Sequence, residues 1–499
     1  MRAAAIRAFG RRSLLLLLTL LLLCATGCGG ETTSSSSGSP SPSPTPTATP
    51  DPTPAPTGEI SGMLLDFDDT LLTLRTDDGE EYTFYIGGVT ITGLEGMYIG
   101  DLFTVSYTGE LDPEKPTQIV TVTAVEKIGE AEESDSIPLA WKDNGVFASC
   151  YSKAYVALQS LSVEEKVGQL LWGLDSGSKT GSDVVTYHLG GYVTQGSDYE
   201  DKTRWQIQNM VQGWQSAAKI PLLIAVEEEG GDLAPVSSNS NLRGVPFRSP
   251  QLVFGMGGME MVQSDAKTKA QLLLDLGINV NLAPVANVCT DPEAPLYSRT
   301  FGQEAEETAE YTVNVVQQFQ EQGLSAVVKY FPGYTPPAKT QEKDSEVSEG
   351  KERSQEKASQ TQPTLAQLET RELLPFQQAV DQGAYAVMMS HDVVSCLDDA
   401  LPVCLSPAAH TYLRETMGFT GIILTGDLSS KEIAGKDWGL EQDVYVQAVL
   451  AGNDVLLCSD YQAAYESILA AVNSGVIPQE TLDRAVFRIL SWKCMLNLM

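Results

Sequence analysis

A short apolar strand that runs into a rigid turn lies in the middle of the chain, in the stretch Gly323-Leu-Ser-Ala-Val-Val-Lys-Tyr-Phe-Pro-Gly-Tyr-Thr-Pro-Pro337. Its apolar part, Ala326-Val-Val328, is short and rich in β-branched residues, and a proline and a glycine then turn the chain. A buried strand that ends in this way presents Lys329, Tyr330 and Tyr334 at its carboxyl end. If other strands end in polar residues at the same face, that face is the expected site.

Seven more apolar runs of this kind alternate with helical patterns in the same part of the chain. The predicted strands are Leu170–Gly173, Gly191–Thr194, Leu222–Val226, Asn279–Ala283, Ser325–Lys329, Ala386–Ser390, Gly421–Thr425 and Asp454–Leu457. The predicted helices include Gly258–Leu276, Glu304–Gln322, Thr364–Gln382 and Trp438–Ala451, and a capping box of Ser162 and Glu165 starts another. Eight parallel strands with intervening helices predict an α/β fold, a (β/α)8 TIM-like barrel over residues 155–499, with the site at the carboxyl ends of the strands.

Polar residues follow most of these predicted strands. The strand ends read Glu227-Glu-Glu229, Lys329-Tyr330, His391-Asp392, Gly426-Asp427 and Cys458-Ser-Asp460. A single acidic strand end is usually a solvated loop. The coincidence of these five polar strand ends at one predicted face favours a pocket for a polar ligand.

The chain opens with an export signal. Four arginines precede an apolar run from Leu14 to Leu23, which predicts a signal peptide over residues 1–27. Ala25-Thr-Gly-Cys28 resembles a bacterial lipobox, in which Cys28 is lipidated; the alternative is an ordinary cleaved signal with an incidental cysteine. Residues 28–58 are rich in Ser, Thr and Pro and predict an extended tether. Together these segments predict an exported lipoprotein, anchored to the membrane at the bacterial cell surface.

Residues 59–128 carry the signals of a small all-β module. Alternating patterns predict about five strands, with a hairpin turn at Asp78-Gly79, and favour an OB-like barrel. We interpret this module as a spacer or wall-contacting unit, with sugar binding as an alternative. Residues 129–154 are predicted to be a linker, and residues 338–363 a flexible, charged insertion within the large domain.

Charge and cysteine usage exclude several classes of partner. The formal net charge is −33, and removal of the four arginines of the leader brings it to −37. So acidic a surface repels phosphate backbones, which argues against nucleic acid. No cofactor fingerprint is present, and the cysteines show no Cys-x-x-Cys spacing, so we predict no cofactor and no metal. Export would permit disulfides, and Cys396 with Cys404 is the pair that the sequence suggests.

The large domain resembles glycoside hydrolase family 3, in particular its single-barrel β-N-acetylhexosaminidase branch. The resemblance covers nearly all of residues 155–495 in the order of the family. The matching stretches are Leu161–Leu171, Ile220–Gly231, Leu276–Pro284, Arg299–Gly302, Lys329–Gly333, Met388–His391, Gly418–Leu428, Ala451–Leu457 and Arg484–Leu490.

The resemblance implies a retaining hydrolysis in which a carboxylate attacks the anomeric carbon and an acid/base group serves the leaving oxygen. The family nucleophile is an aspartate directly after a Ser or Thr, a place that Gly426 occupies here. Asp427 follows one place later and is either a displaced nucleophile or a structural neighbour. The family's acid/base histidine corresponds to Tyr334, and a phenol is a poor general base at neutral pH. Asp344 or a nearby glutamate of the insertion is an open alternative.

Substrate-holding positions are retained in part. By resemblance, Arg299, Lys329 and His391 match family residues that contact the sugar, and Glu227 stands where the family has a hydroxyl-binding Asp. Three hypotheses follow: an envelope β-N-acetylhexosaminidase acting on N-acetylglucosamine-containing glycans or peptidoglycan fragments, an inactive barrel that binds such glycans, and an envelope scaffold protein.

Overall fold

The computed structural model of the chain describes residues 56–67, 70–76, 78–93, 100–112, 115, 117–129, 137–174, 180–334 and 362–499. The predicted signal peptide, Cys28 and the tether up to residue 55 lie outside the described residues. So do residues 130–136 of the predicted linker and residues 335–361, which include most of the predicted insertion. In the described part of the chain, no helix is long and apolar enough to cross a membrane.

A small mixed sheet precedes the barrel. Its strands are β1 (Thr57–Phe67), β2 (Leu71–Arg75), β3 (Glu81–Tyr85), β4 (Ile91–Thr92), β5 (Leu102–Thr108) and β6 (Thr121–Gly129). They pair in the order β3-β2-β1-β5-β6-β4, and β2 and β3 form the predicted hairpin. The described residues thus contain six strands where about five were predicted, because the two-residue β4 pairs in parallel with β6. Leu72, Phe84 and Val105 are fully buried in a core of the sheet's own.

Eight parallel strands then close into a barrel, which confirms the predicted fold. They are β7 (Leu171–Gly173), β8 (Gly191–Val193), β9 (Leu223–Val226), β10 (Val280–Asn281), β11 (Ser325–Phe331), β12 (Ala386–Met389), β13 (Ile422–Asp427) and β14 (Val455–Cys458). Strand β10 is shorter than predicted. The side chains of Asn279, just before the strand, and of Asn281, at its end, form hydrogen bonds with the backbone of Ile224 and Glu228 at 2.8–3.0 Å.

Helices alternate with these strands. They are α1 (Tyr151–Gln159), α2 (Val163–Leu170), α3 (Thr180–Tyr187), α4 (Arg204–Ala217), α5 (Pro250–Asp275), α6 (Ala305–Glu321), α7 (Leu365–Thr370), α8 (Leu374–Asp381), α9 (Pro407–Thr411), α10 (Val444–Ala451), α11 (Tyr461–Asn473) and α12 (Gln479–Met495). The predicted capping box of Ser162 and Glu165 starts α2. The helix predicted from residue 438 begins only at Val444, because the Asp443 side chain accepts the first free backbone N–H groups of α10.

The C-terminal helix α12 packs across the amino end of the barrel. Trp492 stacks on Trp172 of β7 with ring centroids 5.7 Å apart, and its indole N–H donates to Ser325 Oγ at 3.0 Å. The described part of the predicted linker packs there too: Ile137 and Trp141 are buried in the barrel core. Among the described residues, packing on the barrel core thus extends back to Ile137, within the segment predicted to be a linker.

Candidate active site

The carboxyl ends of strands β9, β11, β12 and β13 bring the predicted polar residues to one face. Glu227 follows β9, Lys329 lies in β11, His391 follows β12, and Asp427 ends β13. The turn after β9 depends on glycine: Gly230 has a φ of 98°, and a Cβ there would lie 2.2 Å from the backbone oxygen of Arg248.

A buried ion network forms the floor of this face. The ammonium of Lys329 lies 2.6 Å from Glu227 Oε1 and 2.6 Å from Glu229 Oε1, and its side chain is fully buried. Arg299 holds Glu229 with two hydrogen bonds, Nε to Oε2 at 2.8 Å and Nη2 to Oε1 at 2.6 Å. Two cations thus face two carboxylates, and Glu227 is the carboxylate that reaches solvent, with a third of its side chain exposed.

Each charged group of this network stabilises the ionised form of its neighbours. Burial alone would lower the pKa of Lys329, but the carboxylates of Glu227 and Glu229 outweigh it and raise that pKa. Burial would raise the pKa of Glu229, but Lys329 and Arg299 hold it below the usual range. The bidentate bond to Glu229 raises the pKa of Arg299. All three groups are therefore charged at neutral pH.

The loop after β11 is held by one asparagine. Asn287 accepts a hydrogen bond from the backbone N–H of Tyr330 at 3.0 Å and donates one to the backbone oxygen of Tyr334 at 3.2 Å. The Tyr330 hydroxyl accepts a hydrogen bond from Arg299 Nη2 at 2.9 Å. Burial, with the nearby carboxylates of Asp392 and Glu372, raises the pKa of Tyr334, so its phenol keeps its proton at neutral pH.

The side chain of His391 lies directly against Gly426. A Cβ built at Gly426 would stand 2.7 Å from Nε2 and 3.0 Å from Cε1 of the imidazole, which is closer than side-chain carbons approach such atoms. Burial lowers the pKa of His391, although the carboxylates of Asp427 and Glu432 oppose the shift. The neutral ring therefore fills the volume that a side chain at position 426 would need.

The carboxylate of Asp427 is turned toward the loop after β14. It accepts hydrogen bonds from the backbone N–H groups of Ser429 at 2.9 Å and Ser459 at 3.0 Å, and from Ser459 Oγ at 2.7 Å. The pairing of β13 with β14 is irregular between Leu424 and Asp427. Asp427 thus ties two loops together at the rim, and a catalytic role for it stays a prediction.

Glu229 and Tyr330 belong to the strand ends predicted at this face, but the sequence assigned neither of them a role in the site. Glu229 joins Arg299 to Lys329, and Tyr330 contacts Arg299. Side-chain alternation was the available signal for Glu229, since it places Glu227 and Glu229 on one side of the strand end. Glu228 points the other way and is fully buried, where it accepts hydrogen bonds from Val236 N at 2.8 Å and from Ser237 Oγ at 2.5 Å.

Within the described residues, no group of three or more His, Cys, Asp or Glu side chains is arranged to hold a metal ion. The suggested pair Cys396 and Cys404 consists of free thiols, and Cys404 is fully buried.

The fold and the site define a class: a (β/α)8 barrel with a charged pocket for a polar ligand at the carboxyl ends of its strands. The family profile of the glycosyl hydrolase family 3 N terminal domain matches residues 162–492, about two thirds of the chain. The chain therefore belongs to glycosyl hydrolase family 3.

Curated relatives in this family include "Beta-hexosaminidase LpqI" of Mycobacterium bovis, which is 28% identical over 67% of this chain and 83% of its own. "Beta-N-acetylglucosaminidase/beta-glucosidase" of Cellulomonas fimi is 26% identical over 72% of this chain and 62% of its own. Among solved structures, a family 3 β-N-acetylglucosaminidase of Paenibacillus has a TM-score of 0.58 and 27% identity over 68% of this chain. This chain spans 63% of that protein.

Proposed function

We propose that this chain is an exported lipoprotein of the cell envelope whose barrel binds N-acetylglucosamine-containing glycans or peptidoglycan fragments with little or no hydrolysis. The family supplies the β-hexosaminidase-like domain. The contact between His391 and Gly426 supports the lack of hydrolysis, since the imidazole occupies the volume of the side chain that the family uses as nucleophile. In this proposal, the site lacks the group that attacks the anomeric carbon.

The means of holding a sugar are retained. Lys329 and Arg299 are kept charged by Glu229, and the partly exposed Glu227 offers acceptor oxygens to sugar hydroxyl groups. Such a preorganised set of ionised donors and acceptors binds a polyhydroxylated ligand without further rearrangement. Binding therefore survives in this proposal where turnover does not.

The acid/base function is also weakened. Tyr334, at the position of the family's acid/base histidine, has a raised pKa and cannot accept a proton at neutral pH. Two described carboxyl groups lie near it, Glu372 and Asp392, and burial raises the pKa of Asp392, which suits an acid rather than a base. Tyr334 itself would thus give little help to a poor leaving group.

An enzymatic alternative rests on Asp427. This carboxylate is partly exposed at the end of β13, and the relatives with the names quoted above are β-hexosaminidases or a β-N-acetylglucosaminidase. If the rim opens, Asp427 is the group that would act as the nucleophile.

The deciding experiment measures two quantities on the full chain. The first is release of an activated aryl group from a β-N-acetylglucosaminide, which needs little acid help and so reports on the nucleophile. The second is calorimetric binding of an N-acetylglucosamine oligosaccharide. The variants are Asp427→Asn, the matched control Asp437→Asn in the exposed loop that follows β13, and Glu227→Gln in the pocket.

The proposal expects saturable binding that Glu227→Gln weakens, and no turnover that depends on Asp427. Turnover that is abolished by Asp427→Asn and kept by Asp437→Asn would establish the enzyme instead. Absence of both binding and turnover would overturn the glycan-binding proposal and the enzymatic alternative, and would favour an envelope scaffold.

A further inference from the structure

Two cysteines from opposite ends of the large domain meet at the amino end of the barrel. Cys150 directly precedes α1, and Cys494 lies in the last turn of α12. The helices pack against each other, with the ring of Tyr151 centred 5.0 Å from that of Phe487. Residues 487 and 494 lie on one face of α12 because seven residues make about two turns. The face of α12 that packs on α1 therefore carries Cys494 toward Cys150.

The two side chains lie within hydrogen-bonding reach of each other. A side-chain hydrogen bond joins Cys150 and Cys494, and it is the largest influence on the pKa of either thiol. It lowers the pKa of Cys150, with help from Ser149 and Lys153, and raises that of Cys494. Cys150 is thus the better nucleophile of the pair, and Cys494 is the proton donor.

The other described cysteines have a different environment. Burial is the largest influence on the thiol pKa of Cys289, Cys396, Cys404 and Cys458, and it raises that pKa in each case. Cys150 is buried as well, but its hydrogen bond to Cys494 outweighs the effect of burial on its pKa. In the other four thiols burial prevails, so they are poor nucleophiles at neutral pH.

We propose that Cys150 and Cys494 are a site of covalent cross-linking, and that they form a disulfide by exchange with a disulfide-bearing oxidant. The thiolate of Cys150 attacks one sulfur of the oxidant, which forms a mixed disulfide and releases one oxidant thiolate. Cys494 gives up its proton and attacks the sulfur of Cys150, and the second oxidant thiolate leaves. The two protein thiols are oxidised to one disulfide while the oxidant disulfide is reduced to two thiols.

The cross-link would join the segment in front of the barrel to its final helix, so that nearly the whole barrel lies within one covalent loop. It would also secure α1, where Lys153 reaches the buried Asp101 of the small sheet at 3.4 Å. A long closed loop restricts the unfolded chain strongly, so oxidation is expected to stabilise the fold. The predicted export would bring the pair into a compartment where such bonds persist.

The test incubates the purified full chain with oxidised glutathione, quenches it in acid, alkylates the free thiols and maps the peptides by mass spectrometry. The expected result is a linked peptide pair containing Cys150 and Cys494, which reduction separates. Thermal unfolding measured with and without reductant should show a lower midpoint after reduction. The control Cys289→Ser should keep that difference, while Cys150→Ser and Cys494→Ser should each lose it.

Three results would overturn the proposal. Full alkylation of both cysteines after oxidation would show that the bond does not form. A stable glutathione adduct on Cys150 without transfer to Cys494 would show that the second sulfur cannot reach the first. A linked Cys396–Cys404 pair in place of the proposed one would assign the cross-link elsewhere.

Discussion

Restoring the aspartate at position 426 is expected to destabilise the barrel as long as His391 is present. In Gly426→Asp the new Cβ would stand 2.7 Å from His391 Nε2, so either the imidazole rotates away or β13 shifts. Overpacking of this kind costs about 1–3 kcal/mol. Replacing a glycine within a strand returns roughly 0.5–1 kcal/mol, because the unfolded chain loses freedom. The central values of these two ranges leave a net loss of about 1 kcal/mol in the free energy of unfolding.

Urea unfolding of the wild type, Gly426→Asp, His391→Ala and the double variant measures this effect as a double-mutant cycle. The double variant should be more stable than the sum of the single changes predicts, since the smaller side chain leaves room for the aspartate. Aryl glycoside release should be absent in Gly426→Asp and appear, if at all, only in the double variant. Strictly additive free energies, or a Gly426→Asp protein as stable as the wild type, would refute the idea that His391 fills the nucleophile's place.

Three further outcomes are expected. Burial lowers the pKa of Lys493 to about 7, whereas a lysine in the unfolded chain has a pKa of about 10.5. Between these two pH values only the unfolded chain binds the proton. The free energy of unfolding should therefore fall by about 1.4 kcal/mol for each unit by which the pH drops across this range. Urea unfolding of Lys493→Met should show that this part of the pH dependence is gone. Glu229→Gln leaves the buried Lys329 with Glu227 as its carboxylate partner and takes from Arg299 its carboxylate partner, and should cost about 3–5 kcal/mol, whereas Glu227→Gln, at the solvent edge, should cost clearly less. Asp101→Asn removes the buried carboxylate that pairs with Lys153 of α1 at 3.4 Å as well as with Lys127 of β6 at 2.8 Å, and should speed proteolytic separation of the small sheet from the barrel; an unchanged cleavage rate would contradict this.

The sequence was a good guide to the barrel because its strands and the start of α2 are recorded locally. Short apolar runs predicted all eight strands, and the capping box at Ser162 predicted the start of α2. It failed where short elements depend on distant partners. The two-residue β4 exists only because β6 lies beside it, and Ile137 is buried only because the barrel core receives it.

Sequence alone determined the family, the barrel and the face at which its polar strand ends meet, because hydrophobic periodicity and motif order are properties of neighbouring residues. Tertiary structure alone decided which of those side chains touch. Gly426 lies in β13 and His391 follows β12, and only the pairing of these two strands shows that one residue fills the space that the other leaves empty. Cys150 and Cys494 stand near the two ends of the domain, and only the packing of α1 on α12 brings their thiols together. Contacts of this kind depend on the whole chain's path, which no local pattern encodes.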